Sequence, residues 1–140
     1  LFRGLSLLNK INHIAIAVSN LEEAKKKYRE AFNVKISEEL ILPDHGVKTI
    51  FIQLSNANIE LLEPFGNNSP IKKFIEKNPK GGIHHICYEV KNLSLVINDL
   101  QNKNIEILGN GIPRIGAHNK PVIFLHPKNF NGTLIELEEV

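Results

Sequence analysis

The sequence predicts an α+β fold of two tandem βαβββ modules, with helices covering one face of a curved mixed sheet and the other face left open. Three observations carry that reading: an internal repeat, two-residue alternation within the repeated segments, and one helical pattern in each copy. The repeat is decisive for architecture. Residues 13–21 (His-Ile-Ala-Ile-Ala-Val-Ser-Asn-Leu) match residues 85–93 (His-Ile-Cys-Tyr-Glu-Val-Lys-Asn-Leu) at a shift of 72. The same shift sets Ile50-Phe51-Ile52 on Val122-Ile123-Phe124. Four extra residues in the loop 127–132 then bring Ile59-Glu60-Leu61 onto Ile135-Glu136-Leu137. The expected organisation is a leader over 1–9 and a single domain over 10–140, its modules 10–66 and 82–140 joined by a short helical linker.

Taken in chain order, residues 13–18 alternate His13, Ala15 and Ala17 on one face with Ile14, Ile16 and Val18 on the other, which suits a strand. Ser19, with Glu22 three residues on, reads as a capping box. Leu21, Ala24, Tyr28 and Ala31 then follow helical spacing. Strands are expected over 35–42, 47–54 and 57–62. Ser69-Pro70 is a helix start with Pro at the first helical position, and the Gly81-Gly82 turn follows it. In the second copy Leu93, Val96, Ile97 and Leu100 mark the helix, and strands are expected over 105–108, 121–125 and 133–137.

Composition narrows the class. At 140 residues the chain suits one domain. One Cys excludes an internal disulfide, and a reducing compartment is the natural fit. The net charge of +2 is too small and too scattered to indicate nucleic acid. The apolar runs fall far short of the roughly 20 residues a membrane helix needs. The chain begins at Leu1 and holds no Met. Its acid-free start, with Arg3 and Ser6, suits the remnant of an organelle transit peptide or a disordered leader.

The repeat makes its sharpest statement about His13, Glu60, His85 and Glu136. They are symmetry mates in pairs, and strand alternation places each opposite its flanking aliphatic residues. All four can therefore meet on the open face. One strand His or Glu is ordinarily a hydrogen-bonded core residue or a solvated face, but four in two related pairs point to a metal. Two imidazoles and two carboxylates suit a borderline divalent ion such as Mn, Co, Ni, Fe or Zn. His45 and His118 fall in Gly-bearing loops suited to lids. His84 is expected on the face opposite His85 in a structural role, and Cys87 as a small packing residue. Arg114, Lys72, Lys73 and Lys128 are candidate anion contacts.

Several stretches together carry a resemblance: Asn12-His13-Ile14-Ala15-Ile16-Ala17-Val18, Asp44-His45-Gly46-Val47, Ile59-Glu60-Leu61-Leu62-Glu63-Pro64, Gly82-Ile83-His84-His85-Ile86, Ile115-Gly116-Ala117-His118, Phe124-Leu125-His126-Pro127-Lys128 and Leu134-Ile135-Glu136-Leu137. In order and spacing the chain resembles the vicinal oxygen chelate (glyoxalase-like) superfamily, and within it the methylmalonyl-CoA epimerases. The resemblance implies a divalent ion of the cobalt type (with Mn2+, Ni2+, Zn2+ or Mg2+ as alternatives) at His13, His85 and Glu136, with Glu60 as fourth ligand. It implies interconversion of the C2 epimers of methylmalonyl-CoA in propionate metabolism, through an enolate, by a homodimer. It implies a mitochondrial matrix location in a eukaryote and a cytoplasmic one otherwise. Glu136 is the expected base. Thr49 stands where some members carry a further Glu, which leaves the second base to Glu60 or a bound water. The rival readings are a glyoxalase-type lyase acting on a glutathione hemithioacetal, an iron extradiol dioxygenase, and a non-enzymatic binding protein of the same fold.

Overall fold

The computed structural model describes residues 6–140, so most of the expected leader, residues 1–5, lies outside the described residues. The first module contributes β1 (Ile11–Ala17), α1 (Leu21–Phe32), β2 (Leu40–Leu42), β3 (Val47–Gln53) and β4 (Asn58–Pro64). Helix α2 (Pro70–Lys77) follows. The second contributes β5 (Gly82–Val90), α3 (Leu93–Asn102), β6 (Arg114–Ile115), β7 (Pro121–Leu125) and β8 (Leu134–Glu139). The βαβββ order is thus present twice. Among the described residues no helix is long and apolar enough to cross a membrane.

The chain forms two compact units, His13–His85 and Ile86–Val140 with the described residues that precede His13. In the first, strands lie in the order β2-β3-β4-β1, with β1 parallel to β4 and the other pairs antiparallel. Ile16 of β1 and Val18 just after it, Ile50 and Ile52 of β3, and Ile59 and Leu61 of β4 meet Leu21, Ala24 and Tyr28 of α1 in one core. In the second unit the order is β5-β8-β7-β6. Ile123, Leu125, Ile135 and Leu137 pack there with Val96 and Leu100 of α3. Each fully buried aliphatic side chain of this kind contributes about 1.5–3 kcal/mol.

The opposite face is less open than the sequence pattern suggests. Ala15, Ala17, Val47 and Leu62 pack with Ile71, Phe74 and Ile75 of α2, so the expected linker helix closes part of that face in the first unit. Gly81 follows it with φ +83°, and a Cβ there would stand 2.5 Å from the Ala17 carbonyl oxygen. Only glycine allows the chain to turn this close to β1 before entering β5.

Register revises the repeat by one residue. Phe51 faces Glu60 across the β3–β4 ladder, and Phe124 faces Glu136 across β7–β8. Phe51 therefore corresponds to Phe124 rather than Ile123, a shift of 73, and the loop before β8 accounts for three extra residues rather than four. A one-residue slip exchanges the faces of a strand, and burial of Ile50 and Ile123 under the helices confirms the revised match. The expected strand over 35–42 shrinks to β2 and a lone bridge from Ile36 to Ile52. Between them the Ser37 hydroxyl oxygen accepts the Phe51 N–H, interrupting the ladder. Residues 105–108 likewise hold only a bridge from Ile107 to Leu125, and the strand forms later, as β6.

Ser69 caps α2 with Pro70 at its first position, as expected, but the start of α1 is shifted by one. Asn20, not Ser19, caps α1, its Oδ1 accepting the Glu23 N–H at 3.0 Å. Its repeat mate Asn92 caps α3 by accepting the Leu95 N–H at 3.1 Å. A second acceptor comes from the strands. Glu63 at the end of β4 accepts the Leu21 N–H at 2.7 Å, and Glu139 at the end of β8 accepts the Leu93 N–H at 2.9 Å. Carboxylates at helix N-termini also complement the helix dipole. Asn20→Ala and Asn92→Ala should each lower stability by about 1 kcal/mol, read as a reduced urea midpoint with unchanged slope; no change in either would refute the capping assignment.

Candidate metal centre

Alternation along β1, β4 and β5 puts His13, Glu60 and His85 on the side of their strands away from α1. All three belong to the unit His13–His85, and they are 2%, 5% and 5% exposed. His13 Nε2 lies 3.3 Å from Glu60 Oε1, and His85 Nε2 lies 3.6 Å from the same oxygen. One donor atom from each residue falls within 4.8 Å of the other two. Two ligands about 2.1 Å from a shared ion and 90–110° apart stand about 3.0–3.4 Å from each other. The 3.3 Å separation falls in that range and the 3.6 Å one lies just beyond it, so a small closing movement would bring the three donors onto a common ion, and two nitrogens with one oxygen suit a borderline divalent one.

Neighbouring groups contact these three side chains. The Thr49 hydroxyl donates to Glu60 Oε2 at 2.7 Å. His85 Nδ1 is 2.8 Å from His84 Nδ1, so one of the two nitrogens carries the shared proton while His85 Nε2 faces Glu60. His84 is thus a hydrogen-bond partner of His85, which corrects its reading as a residue facing only the other side. Its ring also packs edge-on against Phe74 of α2, with centroids 5.1 Å apart. Phe51 packs edge-on against His13 with centroids 5.4 Å apart, an apolar wall beside the donors. Sequence reasoning overlooked Phe51; the signal was its place beside Glu60 once the repeat is matched at 73.

The fourth expected residue, Glu136, belongs to the other unit, on β8 and buried at 6% exposure. Gly116 lies over it: a Cβ there would be 3.7 Å from Glu136 Oε2. Two residues on, Glu138 is buried as well. It meets His118 Nδ1 at 3.0 Å and accepts from Asn12 Nδ2 at 3.3 Å, and the same Asn12 nitrogen donates to Glu89 at 2.9 Å. The expected lid residue His118 is therefore docked on a buried carboxylate. His45 sits in the 3-10 turn Pro43–His45, and the Gly46 carbonyl behind it accepts from the Ser69 hydroxyl. His126 accepts the Lys128 N–H at 3.0 Å and so caps its own turn. Lys128 is paired with Glu106, and that hydrogen bond holds the Glu106 carboxyl below its ordinary range. Cys87 is fully buried and unbridged.

Comparison with known proteins follows the same lines. Residues 12–124 match the family described as the Glyoxalase/Bleomycin resistance protein/Dioxygenase superfamily. The chain is 52% identical over 134 residues to the ethylmalonyl-CoA/methylmalonyl-CoA epimerase of Cereibacter sphaeroides, covering 96% of this chain and 100% of that one. It is 48% identical to the mitochondrial methylmalonyl-CoA epimerase of Homo sapiens, covering 94% of this chain and 74% of that one. A solved methylmalonyl-CoA epimerase in complex with methylmalonyl-CoA and NH4+ superposes with a TM-score of 0.88 at 28% identity, covering 94% of each chain.

If the three donors bind an ion, adding Co2+ to the metal-free chain should raise its unfolding temperature. The stabilisation should be about 2.7 kcal/mol when free ion is a hundredfold above Kd. In His13→Ala and His85→Ala that rise should vanish. An equal rise in both variants would place binding elsewhere.

Proposed function

The chain belongs to the Glyoxalase/Bleomycin resistance protein/Dioxygenase superfamily and, within it, to the methylmalonyl-CoA epimerases, and on that premise we propose that it is an isomerase interconverting the (2R) and (2S) forms of methylmalonyl-CoA. Near-complete coverage of a relative at about half identity carries this reading. The buried His13–Glu60–His85 group supports it, because a malonyl thioester presents two oxygens, on thioester and carboxylate, that a divalent ion held by such a donor set would accept.

The ligand set we propose is His13, Glu60, His85 and Glu136, the last on its repeat-related match to Glu60. A divalent ion held there, cobalt by preference, would supply Lewis-acid stabilisation of the negative charge that gathers on the thioester oxygen as the C2–H bond breaks. The proton chemistry falls to the chain. Glu136 takes the C2 proton as the C2–H electron pair moves into the thioester carbonyl; a bound water on the opposite side of C2 returns a proton to give the other epimer, and Glu136 releases the proton it took to solvent. The assembly we propose is a homodimer. The compartment is the mitochondrial matrix in a eukaryotic source, in keeping with the name of the human relative, and the cytoplasm otherwise.

In deuterated water the chain should exchange the C2 hydrogen of methylmalonyl-CoA, and chelation should stop the exchange. The same assay with ethylmalonyl-CoA measures substrate breadth. Glu136→Gln should lower turnover by about 10²–10⁴-fold. Full turnover with full metal content in that variant would remove Glu136 as the base, and absence of exchange in the metal-loaded parent would remove the epimerase reading.

A further inference from the structure

Thr49 lies in the middle of β3, fully buried, on the same strand face as Phe51. Its Oγ1 stands 2.7 Å from Glu60 Oε2 and 3.1 Å from the Leu61 carbonyl oxygen. A hydroxyl has one proton to donate. The shorter contact is to the carboxylate, and its length is that of a charge-assisted O–H···O bond. The other Glu60 oxygen, Oε1, is the one that both imidazole Nε2 atoms approach. The two oxygens of a single carboxylate are thus assigned to different partners, one to β3 and one to the histidine pair.

We propose that Thr49 is a positioning residue for the metal centre: its hydroxyl occupies Glu60 Oε2 and thereby presents Oε1 alone toward His13 and His85. This rests on the metal-binding reading of those residues and adds a role to a residue outside the ligand set. The hydroxyl restricts the carboxylate in two ways. It holds the side-chain rotation that aims Oε1, and it draws charge from the group, so that Glu60 acts as a one-oxygen donor rather than closing both oxygens on the ion. Without it, Glu60 would be free to rotate or to bind through both oxygens. Partners of this kind, one hydrogen bond removed from the ion, fix a ligand's orientation, and their loss typically costs about 10–100-fold in metal affinity.

Four proteins test this: the parent chain, Thr49→Val, Thr49→Ser and Thr49→Ala. Valine keeps the shape of threonine without the hydroxyl. Serine and alanine both lack the methyl and differ only in the hydroxyl, so that pair gives the answer if valine fails to fold. Each is titrated with Co2+ against a chromophoric chelator, and the visible absorption of the bound ion is recorded. Loss of the hydroxyl should weaken Co2+ binding roughly 10–100-fold and alter the absorption bands, with serine close to the parent in both. Parent-like affinity and bands in the valine variant, or a serine variant as weak as alanine, would overturn the positioning role. Failure of the parent chain itself to take up Co2+ is a separate outcome, one that brings down the metal reading and the positioning role with it.

Discussion

Strand β1 runs parallel to β4 with His13 opposite Asn58 and Ala15 opposite Glu60. Because side chains alternate, a slip of one residue in this pairing would send His13 into the helix-covered core and bring Ile14 onto the polar side. What opposes the slip is burial on both faces of β1. Ile16 and Val18 are committed to the core under α1, while Ala15 and Ala17 are committed to the packing under α2. On its other edge β4 is held by the ladder to β3 that runs from Val47↔Pro64 to Gln53↔Asn58. The donor atoms of His13, Glu60 and His85 therefore meet because apolar residues elsewhere fix the strands. A buried carboxylate and two imidazoles would be costly to collect by their own interactions.

Much of this was legible in the sequence, and for a physical reason. The repeat and the two-residue period are local properties, and together they specified which residues share a face. His13, Glu60, His85 and Glu136 are all buried residues of strands. The misplaced features depend on partners distant in sequence. Whether 105–108 or 114–115 forms the paired strand is decided by the edge of β7, not by the intrinsic preference of either segment. The one-residue error between β3 and β7 arose because Ile50-Phe51-Ile52 resembles Val122-Ile123-Phe124 as well as Ile123-Phe124-Leu125, and only ladder register separates the two. The side-chain bond from His84 to His85 contradicts the simple rule that strand neighbours diverge. Backbone direction obeys the rule, but ring nitrogens on long side chains reach around it.

The strand carboxylates at the helix starts show a further kind of information hidden from local reading. Glu63 is 42 residues from the Leu21 N–H it accepts, and Glu139 is 46 residues from that of Leu93. In each unit a strand that carries a buried Glu, at 60 or 136, carries another three residues on that fastens a helix. The helix that covers the core is thus tied at its first turn to the strand that presents the polar group. Any displacement of β4 along its axis would have to break or carry with it the start of α1.

Leu62 and Glu138 occupy matched places, each two residues beyond the buried Glu of its strand. Leu62 is packed beneath α2, whereas Glu138 is a carboxylate engaged by His118 and Asn12. For a chain with the form of a duplication, this means that its halves have ceased to be interchangeable parts. A charge at 62 would be enclosed by aliphatic groups, and a leucine at 138 would deprive His118 and Asn12 of a carboxylate partner. The symmetry survives in where the residues stand but not in which residues each place can accept, so tolerance measured at a position in one half does not transfer to its counterpart in the other.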